Sequence, residues 1–92
     1  MSAGLAWRIE FDLDALADLK RLDREIQKRI LRYLRERIAT AEDPRQFGKP
    51  LRKELYGMWR YRLGDFRIVC QIRETILTVL VVRIAHRRKA YE

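Results

Sequence analysis

Hydrophobic and polar residues alternate at the start of the chain, and the pattern then changes to helical spacing. The segment from Leu5 to Phe11 alternates loosely, which predicts a first β-strand. Asp12 is predicted to cap a first helix, whose apolar residues have helical spacing: Leu13, Leu16, Ala17 and Leu19. Asp23 is predicted to cap a second, longer helix with an apolar residue at every fourth position: Ile26, Ile30, Leu34 and Ile38. Because the link between them is short, the two helices are expected to form an antiparallel hairpin.

The helical pattern ends near Ala41, and proline and glycine then interrupt the chain at Pro44, Gly48, Pro50 and Gly57. Breakers at this density indicate an irregular connection. Neither flank is large enough to bury a core by itself. We therefore interpret the connection as an internal loop of a single domain that spans residues 1–92.

The second half of the chain predicts three successive strands. Met58–Leu63 alternates, and the two-residue hairpin signal Gly64-Asp65 separates it from a partner strand, Phe66–Arg73. A weaker turn signal at Glu74-Thr75 precedes a last strand, Ile76–Ala85. Residues 76–82 are apolar on both faces, which predicts that the last strand lies at the centre of the sheet.

These elements predict the α+β fold class. An N-terminal strand and a two-helix hairpin precede an antiparallel β-meander, and the helices are expected to cover one sheet face. The first strand is expected to join the same sheet. Cys70 alternates with Phe66, Ile68 and Ile72, so we expect it in the core.

The composition indicates a soluble intracellular protein. Cys70 is the single cysteine, so no internal disulfide forms, which fits a reducing compartment. No apolar run approaches the roughly 20 residues of a membrane helix, and the start of the chain lacks the pattern of a signal peptide. We expect a cytoplasmic protein without a membrane partner.

The charge balance favours a polyanionic partner. Lys and Arg total 21 against 13 Asp and Glu, which gives a net charge of +8, and arginine predominates. The arginine side chain presents a planar fork of donors that matches phosphate oxygens. Such a balance most often indicates nucleic acid, while a solvated basic surface or an acidic protein partner stays open.

The predicted hairpin places two arginines face to face. A two-residue turn sets the register so that Arg62 lies opposite Arg67, with Arg60 on the same face. Like charges opposed across strands destabilise a sheet, so this arrangement indicates a candidate anion site. The alternative is that acidic side chains of the helices, or Asp65, neutralise the pair.

A second basic cluster follows the last strand: His86, Arg87, Arg88, Lys89 and Tyr91. Its cations suit phosphates and its tyrosine ring suits a base, a combination typical of single-stranded RNA sites. His86 is the only histidine, and histidine is the residue type whose side chain can exchange a proton near neutral pH. The alternative is a frayed basic tail.

These residues suit RNA cleavage better than other chemistries. RNA carries its own nucleophile, the 2′-OH, and arginines stabilise the charge that develops on the phosphorane. The chain has no Cys and His set with metal spacing, no glycine-rich phosphate loop and no serine elbow, since Ser2 is its only serine. The sequence therefore predicts neither a metal nor another cofactor.

Two parts of the chain resemble the RelE/ParE toxin superfamily. Gly48–Leu51 together with Tyr56–Val69 resembles its core motif, and Ile84–Tyr91 is similar to the C-terminal motif of the RelE branch. The order of elements agrees over nearly the whole chain. The resemblance implies the toxin of a bacterial toxin–antitoxin pair. RelE-like toxins enter the ribosomal A site and cut mRNA there by 2′-OH attack without a metal.

The resemblance also implies roles for individual residues. Arg60 and Arg62 match basic strand residues around the scissile phosphate, and Arg67 matches the arginine that stabilises the transition state. Arg87 matches a basic residue near the leaving oxygen, and Tyr91 matches the tyrosine that stacks on or orients the mRNA. Other basic residues of these segments are expected to bind RNA or the ribosome: Lys49, Arg52, Lys53, Arg88 and Lys89.

The sequence departs from the family pattern at two strand positions, where the best-known RelE has lysines and this chain has Arg60 and Arg62. One of those lysines is the proposed general base, and a guanidinium is a poor base. Either His86 takes this role or the reaction depends more on charge stabilisation and positioning. Glu54 is a remoter alternative for the base.

Three other functions stay open. A toxin of the ParE branch shares the fold and inhibits gyrase by binding, an inactive relative would bind ribosomal RNA without cutting it, and a basic domain would serve a protein complex. Arg67, Arg87 and Tyr91 favour the RelE branch. The resemblance implies a RelB-like antitoxin in a toxin–antitoxin hetero-oligomer, and capture by its acidic or amphipathic segment is expected to displace Tyr91.

Overall fold

The computed structural model describes residues 7–89, with Lys89 described by its backbone only. Its helices are α1 (Leu13–Lys20) and α2 (Arg24–Tyr33), and a π-helical turn, Leu34–Ile38, continues α2. Its strands are β1 (Arg8–Phe11), β2 (Lys49–Pro50), β3 (Trp59–Leu63), β4 (Phe66–Arg73) and β5 (Thr78–His86). Short 3₁₀ turns lie at Pro44–Phe47, Lys53–Leu55, Glu74–Ile76 and Arg87–Lys89.

The strands form one five-stranded sheet in the order β1-β5-β4-β3-β2. Strands β3, β4 and β5 form the predicted antiparallel meander, whereas β1 pairs with β5 in parallel. Strand β5 was predicted at the centre of the sheet; it has neighbours on both sides, but the central position belongs to β4. The α+β class, the order of elements and the place of β1 in the sheet are also confirmed.

The core lies between the helices and one face of the sheet. It contains Ala15, Leu19, Ile30, Leu34 and Ile38 from the helical segments, with Tyr61, Ile68, Cys70, Val79, Val81 and Ile84 from the strands. The core position of Cys70 is confirmed, and burial raises the pKa of its thiol. Within α1, Leu13 and Ala17 are exposed because Ala15, Asp18 and Leu19 face the sheet.

The helix ends differ in how their backbone donors are satisfied. Asp12 caps α1 as predicted, since its carboxylate accepts a 2.9 Å hydrogen bond from the backbone N–H of Ala15. Asp23 occupies the corresponding position before α2, but its side chain makes no capping hydrogen bond. The π-helical turn, in which Ala39 N donates to Leu34 O, explains the spacing of four. In an α-helix, residues spaced by four rotate around the helix axis by about 40° from one to the next. The wider π-helical turn compensates for this rotation and keeps Ile38 in the core.

The connection between α2 and β3 contains more structure than predicted. Lys49–Pro50 pairs with β3 as the edge strand β2, which the sequence pattern did not indicate. Gly48 makes this pairing feasible, because a Cβ at that position would lie 3.0 Å from Cε1 of Tyr61 and 3.2 Å from the carbonyl oxygen of Arg60. Proline is tolerated at an edge, where its missing N–H interrupts no ladder.

The turn between β4 and β5 is longer than predicted. A 3₁₀ turn at Glu74–Ile76 and a left-handed residue, Leu77 with φ of 47°, separate the strands. Strand β5 therefore begins at Thr78 and not at Ile76, and it ends one residue beyond the predicted Ala85. Ile76 and Leu77 are exposed as a result.

Asp18 is a buried carboxylate that joins α1 to the open side of β5. Its Oδ2 accepts a 2.9 Å hydrogen bond from the backbone N–H of Ile84 and lies 3.2 Å from Nε of Arg83. Its Oδ1 lies 3.4 Å from Nη1 of Arg21. Beyond the end of β1, this carboxylate therefore supplies the acceptor that a further strand would otherwise provide.

Replacing Asp18 with alanine is expected to lower the free energy of unfolding by about 1–3 kcal/mol, because the buried N–H of Ile84 loses its acceptor. Urea denaturation followed by circular dichroism measures this change. The matched control is Asp14→Ala, an exposed aspartate of the same helix, with an expected cost below about 1 kcal/mol. Equal costs for the two variants would contradict the role of Asp18.

Candidate nucleic-acid interface

The β3–β4 hairpin has the register that the sequence predicts. Leu63 pairs with Phe66 and Arg62 lies directly opposite Arg67. The turn is closed by Gly64, whose φ of 59° lies in the left-handed region that glycine adopts at low cost. The opposed arginine pair is therefore confirmed as a feature of the fold.

Strand β2 adds a fourth cation to the arginine face. Lys49 pairs with Arg60 across β2 and β3, so its side chain lies on the same face as Arg62 and Arg67. Lys49 and Arg62 are exposed, whereas Arg60 and Arg67 are half-buried. We call these four residues the arginine face. Because they come from three neighbouring strands, their backbone positions are held by the ladder hydrogen bonds of the sheet.

Asp65, the acidic residue of the hairpin turn, makes its contacts with Arg87 and not with Arg62. The Oδ1 atom of Asp65, at the turn, lies 3.8 Å from Nε of Arg87. The backbone carbonyl oxygen of Asp65 accepts a 2.6 Å hydrogen bond from the backbone N–H of Arg87. The Nη1 atom of Arg67 lies 3.5 Å from the Gly64 carbonyl oxygen and 3.4 Å from that of Phe66. Among residues 7–89, no carboxylate lies within salt-bridge distance of Arg62.

A basic groove of about 300 Å³ lies beside the arginine face. It is lined by Lys49, Pro50, Leu51, Arg52, Lys53 and Arg60. Four of these lining residues are cationic and none is acidic, so the groove suits a phosphate or another anion. The structure thus brings together Lys49, Arg52 and Lys53, three of the residues predicted to bind RNA or the ribosome.

A bulge in β5 separates the two ends of that strand. Val69 pairs with Arg83 and the next residue, Cys70, pairs with Val81, which leaves Val82 without a partner. An extra residue reverses the facing of every residue that follows it. Val81 before the bulge and Ile84 after it consequently both point into the core.

The bulge turns His86 away from the arginine face. His86 pairs with Phe66, and their rings meet edge to face with centroids 5.5 Å apart, whereas Ala85 pairs with Arg67. His86 therefore faces the helix-covered side, and its Nδ1 accepts a 3.3 Å hydrogen bond from the backbone N–H of Arg88. The candidate base His86 therefore does not lie with the arginines, since β5 continues through this residue and the bulge places it on the other face.

The remaining predicted site residues lie around this hairpin. Arg87 follows β5 and is held at the β3–β4 turn by Asp65, and Arg88 is exposed in the 3₁₀ turn after it. Glu54 is exposed on the loop before β3 and does not line the basic groove. Tyr91 and the side chain of Lys89 lie outside the described residues.

Between residues 7 and 89, no cluster of three or more His, Cys, Asp and Glu side chains is arranged to hold a metal ion. Over the same residues, neither helix has the length and hydropathy needed to cross a bilayer.

Comparison with known proteins identifies the same family throughout the chain. A family model described as the ParE toxin of type II toxin–antitoxin system, parDE, matches residues 9–91. Toxin RelG of Mycobacterium tuberculosis is 29% identical over 87 residues, which cover 95% of this chain and 98% of the relative. Toxin RelE of the same organism is 30% identical over 91 residues, which cover 99% of this chain and 92% of the relative.

Solved structures agree with this assignment. The toxin–antitoxin complex RelBE2 from Mycobacterium tuberculosis contains a chain that matches with a TM-score of 0.82 and 29% identity, over 90% of this chain and 93% of the other. The intact E. coli RelBE complex matches with a TM-score of 0.70 and 22% identity, over 95% and 100%, and supports the fold alone. The family model and the relatives together place this chain in the ParE toxin family of type II toxin–antitoxin systems, within the RelE/ParE superfamily.

Proposed function

We propose that this toxin is an endoribonuclease that cuts mRNA in the ribosomal A site by attack of the 2′-OH on the adjacent phosphorus, without a metal. The observation that carries the proposal is the opposed pair Arg62 and Arg67 beside Arg60 and Lys49. Like charges at this spacing oppose folding, and a bound phosphodiester would relieve their repulsion. The names of two relatives, RelE and RelG, support the RelE-type activity.

In this proposal the arginines bind and stabilise charge. Arg67 contacts the phosphorane oxygens, where fixed cations stabilise the charge that develops in the transition state. Arg60 and Arg62 hold the scissile phosphate and its neighbour in line with the 2′-OH, which removes much of the entropic cost of attack. Arg87, tethered to Asp65 at the hairpin turn, lies at the end of the face where the leaving 5′-oxygen would be. Tyr91 stacks on or orients the mRNA.

Proton transfer is the step in which this chain differs most from the family pattern. Arginine does not act as a base at accessible pH, and His86 faces the opposite side of the sheet. We therefore propose that cleavage depends on positioning by the ribosome and on charge stabilisation. The proton of the 2′-OH then leaves to water or to a group of the ribosome.

His86→Gln tests this view of proton transfer. Since His86 packs against Phe66 away from the arginine face, we expect single-turnover cleavage on ribosomes to fall less than about tenfold, compared with the 10²–10⁴-fold typical of a lost general base. Glu54→Gln, measured in parallel, tests the other base candidate. A loss above about 100-fold in His86→Gln, with the melting temperature unchanged, would instead restore His86 as the base.

The assay for the function itself uses ribosomes programmed with a defined mRNA and the full-length toxin. We expect a cut within the A-site codon that leaves a 2′,3′-cyclic phosphate, as 2′-OH attack requires. A chelator mild enough to spare the ribosome should leave the rate unchanged. If translation stops without a cut, the enzyme assignment fails and ribosome blocking takes its place.

A second candidate function follows from the family model, whose description names the ParE toxin. A ParE-like toxin would inhibit gyrase by binding and cut no RNA. Supercoiling of plasmid DNA by purified gyrase, with and without the toxin, discriminates the two functions. Inhibition of supercoiling without mRNA cleavage would favour ParE.

The partner in this proposal is a RelB-like antitoxin. The matched solved structures include RelBE complexes, and the arginine face offers an anionic or amphipathic segment a complementary surface. Capture is proposed to neutralise the face in a cytoplasmic toxin–antitoxin hetero-oligomer and to displace Tyr91 from the site. A crystal structure of the complex with Tyr91 undisturbed and the arginine face open would contradict this mode of inhibition.

A further inference from the structure

Tyr56 has no packing role that explains its position. Its side chain is 84% exposed, although tyrosine carries a large apolar ring that burial would stabilise. It lies on the loop between β2 and β3, next to Gly57. Single exposed apolar residues are common on protein surfaces, so exposure by itself assigns no function to this ring.

The loop that carries Tyr56 is held by its own backbone. Leu51 N donates to Met58 O at 2.9 Å across the base of the loop, and Met58 N donates to Leu55 O at 3.0 Å. Within it, Tyr56 N donates to the Lys53 carbonyl oxygen at 3.0 Å. The ring therefore extends from a closed turn and not from a loose segment.

This same turn forms one wall of the basic groove. Arg52 and Lys53 line the groove, and Lys53 has a φ of 56°, which an L-residue adopts at a cost. A turn closed by a bond from residue i+3 to residue i brings the two Cα atoms within about 7 Å, so Tyr56 starts close to Lys53. Arg60 also lines the groove and belongs to the arginine face.

We propose that Tyr56 and the basic groove form a nucleotide-binding subsite, in which the phosphate lies among Arg52, Lys53 and Arg60 and the base stacks on the Tyr56 ring. This inference deepens the proposed function and depends on it for the identity of the RNA strand. Because Arg60 belongs to both surfaces, the bound nucleotide flanks the bond that the arginine face cuts. Tyr56 is a binding residue here and takes no part in proton transfer.

The chemistry of the subsite favours RNA over a protein partner. A single-stranded nucleic acid needs cations that follow its backbone and an aromatic ring for a base, and this loop offers both. The lining contains no acidic residue, and the nearby Glu54 lies outside it. Purines should bind better than pyrimidines, since their larger rings stack over more area.

The test is binding of fluorescein-labelled ten-residue oligoadenylate to the full-length toxin, followed by fluorescence anisotropy. Tyr56→Ala should weaken binding by about tenfold or more, whereas Tyr56→Phe, which keeps the ring, should bind within about twofold of the wild type. Leu13→Ala is the matched control, because Leu13 is also 84% exposed and lies on α1. All three variants should melt within about 4 °C of the wild type, since exposed side chains contribute little to stability.

A second arm separates stacking from general charge effects. With an abasic ten-residue oligomer that keeps the sugar–phosphate backbone, wild type and Tyr56→Ala should bind equally. The proposed subsite is overturned if Tyr56→Ala binds oligoadenylate as well as the wild type. The same holds if this variant loses affinity only for the antitoxin. Binding is measured without ribosomes, so the subsite can fail while A-site cleavage stands, and cleavage can fail while the subsite stands.

Discussion

Arg67→Ala is expected to lower the single-turnover rate of mRNA cleavage on ribosomes by at least about 100-fold, the loss typical for a donor that stabilises transition-state charge. Arg67 lies on β4, directly opposite Arg62, and its backbone is held by neighbouring strands on both sides. A cation fixed in this way needs no reorganisation as charge develops on the phosphorane, so its removal should affect the rate more than binding.

Arg73→Ala is the matched control for this variant. Arg73 is on the same strand and the same face, with its Nε donating to Gln71 at 2.7 Å, but about 20 Å along the strand from Arg67. Both variants lose one positive charge, so a general weakening of RNA attraction would affect them equally. Equal loss of cleavage in the two would contradict a specific role for Arg67.

Arg62→Glu is expected to abolish cleavage and to stabilise the fold. The new carboxylate would lie opposite Arg67 and replace a repulsion by an ion pair, which should raise the free energy of unfolding by about 0.2–1 kcal/mol. The same carboxylate would repel the scissile phosphate and occupy Arg67, so cleavage should fall by more than about 100-fold. Urea denaturation and the ribosome assay measure the two effects on the same preparation.

Arg73→Glu controls for the change of two charges. It alters the net charge as Arg62→Glu does, yet Arg73 pairs with Thr78 and not with another arginine. Stability should then change little, and cleavage should fall far less. If Arg62→Glu proved less stable than the wild type, the opposed pair would not be the unfavourable arrangement that its geometry indicates.

The outcomes expected for the Arg67 and Arg62 variants both depend on the β3–β4 hairpin, and the local sequence is enough to specify the register of this hairpin. The two-residue turn Gly64-Asp65 fixes which residues of β3 and β4 pair. Alternation along the strands then places Arg62 and Arg67 on one face and Tyr61 in the core. Tyr61 anchors this arrangement, since its buried hydroxyl donates a 2.7 Å hydrogen bond to the Pro44 carbonyl oxygen. The site is therefore built on a rigid part of the molecule.

The sequence by itself determined the features that depend on near neighbours in the chain. The cap at Asp12, the strand alternation, the hairpin register and the core position of Cys70 follow from local spacing, and all are present in the structure. The opposed arginines belong to this group, because a two-residue turn leaves only one register.

Only the tertiary structure decided the features that depend on distant partners. Strand β2 forms because Gly48 lets residues 49–50 approach β3. A strand of two residues is too short to show a pattern of alternating apolar and polar residues. The bulge at Val82 turned His86 to the helix side, which no pattern of residues along β5 indicated. A bulge is fixed by packing on both faces of a sheet at once, and the core residues Val81 and Ile84 could both be buried only if one residue between them was left unpaired.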